Sequence, residues 1–374
     1  MRRDPPAAPY WLYLLECRGG AYYAGIAVNV EQRFFQHVFS GNICFFASSS
    51  ISVWLGDRFI RIRQYDAGLP FEAIHVMNPS PPNSVTSIRQ AFAQRLKQPG
   101  LVVAPGVYDM VSLRLADSFG FEALYMTGFG TVASHLGLPD AGIATYTDMV
   151  SRVKAMAGMA RTPLIADGDT GYGGLLNVSH TVRGYEAAGA TAIQLEDQEF
   201  PKKCGHTPGR RVIAMADMVR KIKVACDSRE SRDFLIIART DARTTLGLDE
   251  ALRRAEAYAQ AGADILFVES PESEQEMRRI GSAFELPLVA NMVERGRTPV
   301  LTRPELEALG YRIAIFPVTP LLAAVRAMAD VYQGFKQQGS SAGTSVPLYD
   351  FADLTRLMGF EDVWAFEKRY AEPD

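Results

Sequence analysis

The chain is poor in soft metal ligands and redox-active groups, with five histidines and four cysteines among 374 residues. Cys17, Cys44, Cys204 and Cys226 are scattered, without the paired spacing of a zinc module or a disulfide framework. With no recognisable signal peptide, that usage predicts a reduced, cytoplasmic setting. No uninterrupted apolar run approaches the roughly 20 residues that cross a bilayer, so no membrane partner is expected. Charge of one sign is also lacking. Thirty-nine Lys and Arg face 42 Asp and Glu for a net charge of −3, which gives the whole chain no reason to bind a polyanion. Missing too are a GxGxxG or GK[ST] signature ahead of a helix, so Gly171-Tyr172-Gly173-Gly174 is not read as a nucleotide cradle.

What is present is apolar mass, 48% of residues, enough to bury one large core and leave a small extra domain. Four segments are expected: an N-terminal fragment over residues 1–76, a linker over 77–86, a barrel over 87–337, and a C-terminal linker with a helical extension over 338–374. In the first, Tyr10 to Cys17 and Ala21 to Ile26 flank Arg18-Gly19-Gly20 as a hairpin, and a polar helix is predicted over Asn29 to His37. This piece resembles the opening of a GIY-YIG nuclease domain, with Tyr13, Tyr23, Arg33 and His37 at its motif positions. Asn42 to Gly68 lacks the continuation, and Glu72, the one later candidate for that family's metal ligand, sits in a Pro-flanked stretch. The expected reading is therefore a truncated relic, a small α+β or poorly folded segment, or an extension ahead of an alternative start at Met77. Nucleic-acid processing through this fragment is the alternative of another class.

From Ile88 the pattern becomes regular. Apolar runs occur at Leu101 to Ala104, Ala123 to Met126, Pro163 to Ala166, Ala192 to Leu195, Phe234 to Ala238, Ile265 to Val268, Leu286 to Ala290 and Ile313 to Phe316. Separated by helix-length segments, they predict a (β/α)₈ barrel. In Leu248 to Ala259, the residues Leu248, Leu252, Ala255 and Tyr258 share one helical face and the other face is charged. Gly120, Gly189, Gly262 and Gly310 each end a helix seven residues before Thr127, Glu196, Glu269 and Pro317, which puts those four at one level of the barrel. In such barrels the C-terminal strand ends carry the chemistry.

That rim collects Tyr125, Thr127, Gly128, Asp140, Asp167, Asp169, Glu196, Cys204, Arg239, Glu269 and Asn291. Four carboxylates, Asp140, Asp167, Asp169 and Glu196, around one point repel unless a cation sits among them; oxygen-only ligands point to Mg²⁺ or Mn²⁺. The pair in Asp167-Gly168-Asp169 has capping of the glycine loop as its structural alternative. Cys204, flanked by Lys202, Lys203 and His206, lies in a field that favours thiolate. Arg239 has a core ion pair with Asp241 as its alternative.

Lys202-Lys203-Cys204-Gly205-His206, the Asp167 to Gly173 loop, Tyr125-Met126-Thr127-Gly128, Leu136 to Asp140 and Ala238 to Ala242 together resemble the isocitrate lyase and phosphoenolpyruvate mutase superfamily, most of all its dimethylmalate lyase and methylisocitrate lyase branches. The resemblance covers about Ser87 to the C-terminus. It implies a metal-dependent carbon–carbon lyase, with Asp167 and Asp169 nearest the metal and Asp140 and Glu196 reaching it largely through water. It implies Cys204 as general acid, Arg239 steadying developing charge, and Thr127, Gly128 and Gly205 holding substrate oxygens. Tyr125 takes the substrate hydroxyl proton unless the metal makes it dispensable, and His206 and Glu269 orient thiol and substrate. Leu322 stands where tricarboxylate-cleaving relatives carry an Arg, Phe129 replaces a Gly, and Met292-Val293 replace a pair containing a hydroxyl residue. An apolar pocket end leaves a third carboxylate unpaired. The substrate class expected is therefore a small 2-hydroxy dicarboxylate such as an alkylmalate, with oxaloacetate hydrolysis and methylisocitrate cleavage as alternatives on the same frame. Leu354, Leu357, Met358, Val363, Trp364 and Phe366 are too apolar for a free tail. They pack on their own barrel or, as the resemblance implies, are exchanged within a homotetramer.

Overall fold

The computed structural model describes residues 85–371 apart from 206 and 208 and, ahead of them, the backbone of five strands. The chain divides into two compact units, Met1–Pro82 and Asn83–Asp374.

In the first unit β1 (Trp11–Cys17) and β2 (Ala21–Ala27) form the antiparallel hairpin that the turn residues predict, in a register from Trp11↔Ala27 to Cys17↔Ala21. A second antiparallel sheet of β3 (Phe45–Phe46), β4 (Ile51–Leu55) and β5 (Arg58–Ile62) follows, where the sequence reading placed no element. Its strands are rich in β-branched and aromatic residues, which favour a pleated backbone. The helix expected over Asn29 to His37, and Glu72, lie outside the described residues.

In the second unit all eight apolar runs become strands: β6 (Val102–Val107), β7 (Leu124–Met126), β8 (Leu164–Asp167), β9 (Ala192–Glu196), β10 (Leu235–Thr240), β11 (Ile265–Val268), β12 (Val289–Asn291) and β13 (Ile313–Phe316). They are parallel in the order β11-β10-β9-β8-β7-β6-β13-β12. A parallel bridge from Leu266 to Leu288, just ahead of β12, closes the barrel. Several strands run past their apolar stretch into polar residues, because pairing does not stop where side-chain character changes: Asp167 pairs with Gln194, and Arg239 with Glu196. Gly120, Gly189, Gly262 and Gly310 all adopt positive φ just after a helix, between 72° and 106°, as left-handed C-terminal caps do.

The two-residue period of a strand sorts the barrel interior into levels. Low down, Ala123, Ile165, Ala192, Leu235, Ile237, Ile265, Val289 and Ile313 form an apolar cluster, into which Phe92 and Leu96 of the helix Val85–Leu96 insert as a plug. One or two inward positions higher on the same strands stand Tyr125, Asp167, Gln194, Glu196, Arg239 and Asn291, all buried. A larger apolar layer, including Leu124, Met126, Val182, Tyr185, Ile236 and Tyr258, fills the space between strands and helices.

One helical face differs from expectation. The helix Leu248–Gln260 buries Leu248, Ala251, Arg254, Ala255 and Tyr258, whereas Leu252 is only half-buried. Arg254 turns inward because Asp197, fully buried, needs a cation: Arg254 Nη1 lies 3.0 Å from Asp197 Oδ2, and Tyr258 donates its hydroxyl to the same oxygen at 2.8 Å.

After the last strand, the helices Thr319–Gln338, Phe351–Leu357 and Phe360–Tyr370 bury none of their residues. Arg114 donates through Nε to the Leu357 carbonyl at 3.0 Å, tying the extension to the barrel of the same chain. Leu322, Val325, Met328, Tyr332, Phe335, Phe360, Val363, Trp364 and Phe366 nevertheless remain exposed.

Removing the plug gives the stability test of this architecture. Phe92→Ala opens a cavity beneath the apolar interior and is expected to cost about 3–5 kcal/mol. A urea midpoint equal to that of the parent chain would show that the helix does not seal the barrel.

Candidate active site

The upper interior opens into a cavity of about 220 Å³. Tyr125, Thr127, Phe129, Asp140, Asp167, Glu196, Cys204, Gly205, Arg239 and Asn291 line it. Gly128, Asp169 and Glu269 are buried just behind that wall and contact residues within it. The expected thiol partner His206 lies outside the described residues. Cys204 is half-buried and in no disulfide.

The segment carrying Cys204 is fastened at both ends. Lys202 is buried with its ammonium 2.5 Å from both Asp140 Oδ1 and Asp169 Oδ1. Burial alone would lower its pKa; Asp169 and Asp140 outweigh burial and hold it well above the ordinary lysine range. Beyond the thiol, Arg210 donates to Asp241 Oδ1 at 2.6 Å and to Thr244 Oγ1 at 2.6 Å. Between them Ser270 Oγ donates to the Gly205 carbonyl at 3.1 Å. A Cβ at Gly205 would collide with the Arg239 guanidinium and reach Glu269 Oε2 at 3.0 Å, so only a glycine lets the loop approach this closely.

Arg239 stands among acids. Its Nε is 2.8 Å from Asp241 Oδ2 and 3.5 Å from Glu196 Oε2, and its Nη2 is 3.3 Å from Glu269 Oε2. The ion pair with Asp241 and a place in the cavity wall are thus both present. Burial would raise the Asp241 carboxyl, but Arg239 and Arg210 hold it below its usual value. Glu269 accepts from Asn291 Nδ2 at 3.0 Å and from the Ser270 N–H at 2.7 Å. Glu269 therefore orients Arg239 and Asn291 from behind.

Two positions make contacts that the sequence does not announce. Gly128 N–H donates to Asp167 Oδ2 at 3.2 Å, so it braces a carboxylate. Burial and the nearby Asp167 carboxylate raise the Tyr125 phenol well above its ordinary value, which makes it a hydrogen-bonding phenol and a poor general base near neutral pH. Its hydroxyl donates to Gln194 Oε1 at 3.0 Å, and Gln194 Nε2 donates to Asp167 Oδ1 at 3.3 Å. Gln194 and the ion-pairing of Lys202 are absent from the sequence reading. A glutamine at an inward position of an apolar strand was the available sign of the first; nothing local announces the second.

The four carboxylates do not surround one point. Among the described residues, no group of three or more His, Cys, Asp or Glu side chains stands close enough to hold a metal unaided, and Lys202 is inserted between Asp140 and Asp169. The residues still fit a hard cation. Burial, with Asp167 and Asp140 adding to it, lifts the Asp169 carboxyl to about 7 against the pull of Lys202. Burial also lifts Glu196 well above the carboxylate range, and its Oε1 has no hydrogen-bond partner among the described residues. Asp169 holds φ at 48°, a left-handed backbone that a non-glycine residue adopts at a cost of about 1–3 kcal/mol and that recurs at functional sites. Two carboxylates completed by water and substrate oxygens are a common Mg²⁺ arrangement.

These groups stand at the C-terminal ends of the strands or on the segments that follow them, where parallel barrels carry their chemistry, and the molecule is a TIM-barrel enzyme. The phosphoenolpyruvate phosphomutase family matches residues 92–336. A 2,3-dimethylmalate lyase of Eubacterium barkeri is 51% identical over 271 residues, which cover 72% of this chain and 94% of that protein. A 2-methylisocitrate lyase of Aeropyrum pernix is 41% identical over 292 residues, 75% of this chain and 93% of that one. Among solved structures, an oxaloacetate acetylhydrolase bound to 3,3-difluorooxalacetate superposes with a TM-score of 0.72 at 35% identity, over 75% of this chain and 96% of its own. A 2,3-dimethylmalate lyase superposes at 0.70 with 36% identity, over 76% and 94%. The chain belongs to the phosphoenolpyruvate mutase/isocitrate lyase superfamily, and it is a carbon–carbon lyase.

The Lys202 ion pairs can be tested by stability. Lys202→Met leaves Asp140 and Asp169 buried without their cation and is expected to cost about 3–5 kcal/mol. Equal denaturation midpoints for variant and parent would mean that the ammonium contributes nothing to the fold.

Proposed function

We propose that the chain cleaves a 2-hydroxy dicarboxylate of the 2,3-dimethylmalate type to pyruvate and propionate, with Cys204 as the general acid. The observation that carries this reading is that Cys204, Asp167 and Arg239 share one cavity with an apolar side. Phe129, Val293, Ile315, Pro317, Val318 and Leu322 form that side, which carries no cation of its own, so an alkyl group fits there better than a third carboxylate. The 51% identity to a 2,3-dimethylmalate lyase supports the same substrate class.

Asp167 and Asp169 would hold the metal, with Asp140 and Glu196 adding negative charge around it. When bound, Mg²⁺ or Mn²⁺ supplies Lewis-acid polarisation of the substrate 2-hydroxyl and its carboxylate. With the hydroxyl proton released to solvent, C2 becomes the pyruvate carbonyl as the C2–C3 electron pair moves to C3. Arg239, fixed by Asp241 and Glu269, meets the negative charge that develops on the departing carboxylate fragment. The Cys204 thiol then delivers its proton to C3, completing propionate. The Thr127 hydroxyl and donors around Gly205 hold substrate oxygens.

The exposed apolar residues of the last three helices support a homo-oligomer, as a tetramer with exchanged C-terminal helices, because a second copy of this chain offers a matching apolar surface. Trp364→Glu together with Phe366→Glu is expected to lower the mass measured by light scattering; an unchanged mass would place these helices outside the interface.

The reaction is tested by pyruvate release from 2,3-dimethylmalate with Mg²⁺, in the full chain and in a chain starting at Met77. Oxalate and acetate from oxaloacetate without pyruvate from dimethylmalate would move the assignment to hydrolysis. Cys204→Ser is expected to reduce turnover by about 10²–10⁴-fold while magnesium binding persists. Near-parental turnover in that variant would remove the thiol from the mechanism.

A further inference from the structure

The reaction leaves Gln194 without a role, although it is 1% exposed and both ends of its amide are engaged inside the barrel. Its place follows from the sheet. Asp167 and Gln194 are register partners on β8 and β9, so both point inward, and Tyr125 on β7 points to the same interior.

The direction of this chain of hydrogen bonds is set from one end. Asp167 already accepts N–H donors on both oxygens, from Gly128 on Oδ2 at 3.2 Å and from Asp169 on Oδ1 at 3.1 Å. With Asp167 accepting from the backbone on both oxygens, the Gln194 amide turns its NH₂ to Asp167 Oδ1 at 3.3 Å and its carbonyl to Tyr125. A carbonyl cannot donate. The single O–H proton of Tyr125 is therefore committed to Gln194 Oε1, at 3.0 Å. What the phenol oxygen offers the cavity it lines is a lone pair.

We propose that Gln194 is a positioning residue which fixes Tyr125 as a hydrogen-bond acceptor toward the ligand, so that the site favours a carbon bearing a hydroxyl over one bearing a keto group. This rests on the 2-hydroxy acid reading above and deepens it. A substrate hydroxyl donates to the Tyr125 oxygen. A keto oxygen in the same place meets a lone pair with nothing to donate, and a mismatched buried polar contact of this kind lowers affinity roughly tenfold to hundredfold. The same polarity that holds the hydroxy acid thus weakens the grip on a 2-oxo product once the bond is broken.

Lactate and pyruvate make the probe, because they differ only at this position and neither contains a bond for the enzyme to cleave by retro-aldol chemistry. Their dissociation constants are measured by calorimetry on the full chain with Mg²⁺. The parent is expected to bind lactate at least about tenfold more tightly than pyruvate. Gln194→Met, similar in volume, is expected to bring the ratio to near one, because the Tyr125 hydroxyl is then free to rotate and donate. Tyr125→Phe is expected to do the same, and the double variant should lose no more than either single one. A parental ratio retained in Gln194→Met, or effects that multiply in the double variant, would overturn the proposal. So would a parent with no preference for lactate. If circular dichroism shows that Gln194→Met is unfolded, Tyr125→Phe decides alone, and a retained ratio there is equally fatal. A parent that prefers lactate yet releases no pyruvate from dimethylmalate refutes the assigned reaction and leaves the polarity of Tyr125 standing.

Discussion

A single buried guanidinium allows so many acids to share the top of one barrel. Arg239 contacts Asp241, Glu196 and Glu269 at 2.8–3.5 Å, and each of those carboxylates is buried. Unpaired, any of them would cost several kcal/mol to keep ionised away from water. Arg239 is also stacked on the Phe267 ring, 5.1 Å from its centroid, so an inward apolar residue one strand over sets its height in the barrel. The last inward layer can thus be charged because the layer beneath it is packed. Strand period, apolar filling and site chemistry are successive consequences of the same closed sheet.

Behind this layer lies a second one that never meets the cavity. Asp197 accepts from the Asp241 N–H at 2.9 Å, the Thr240 hydroxyl at 2.8 Å, the Tyr258 hydroxyl at 2.8 Å and Arg254 at 3.0 Å. It is the residue next to Glu196, so the strand's alternation sends Glu196 inward and Asp197 outward toward the helices. The outward carboxylate fixes the backbone of Asp241, which in turn holds Arg239 and Arg210. Removing Asp197 would loosen the site without touching anything in it, since such networks support their members jointly.

How much of this was legible in the sequence depended on the range of the interaction. The strands were visible because apolar runs are local, and the level of the rim because Gly120, Gly189, Gly262 and Gly310 keep a constant distance to the strand ends. Asp167, Arg239 and Cys204 were visible as chemistry-bearing residues at those ends. Arg254, read as part of a charged outer face, is buried, because its partner Asp197 lies 57 residues away. Lys202, read as part of the thiol's field, is paired with Asp140 across 62 residues. Tyr125, read as a base, is held protonated by burial and by a carboxylate on the adjacent strand. In each case the residue type was plain and its partner was not, because a partner in space leaves no mark on local periodicity.

The position of the thiol follows from the same electrostatics. Cys204 belongs to a loop whose ends are held by Lys202 on Asp140 and Asp169, and by Arg210 on Asp241. Both anchors are cations seated on acids that also serve the cavity. Asp169 is among the carboxylates proposed for the metal, and Asp241 is the partner of Arg239. The loop is therefore not an independent flap laid over a finished site. Changing the charge at Asp169 changes what holds Lys202, two residues from the thiol, and changing it at Asp241 releases Arg210 on the other side. A thiol placed this way keeps its register with Arg239, since Asp241 holds both Arg239 and the Arg210 end of its loop.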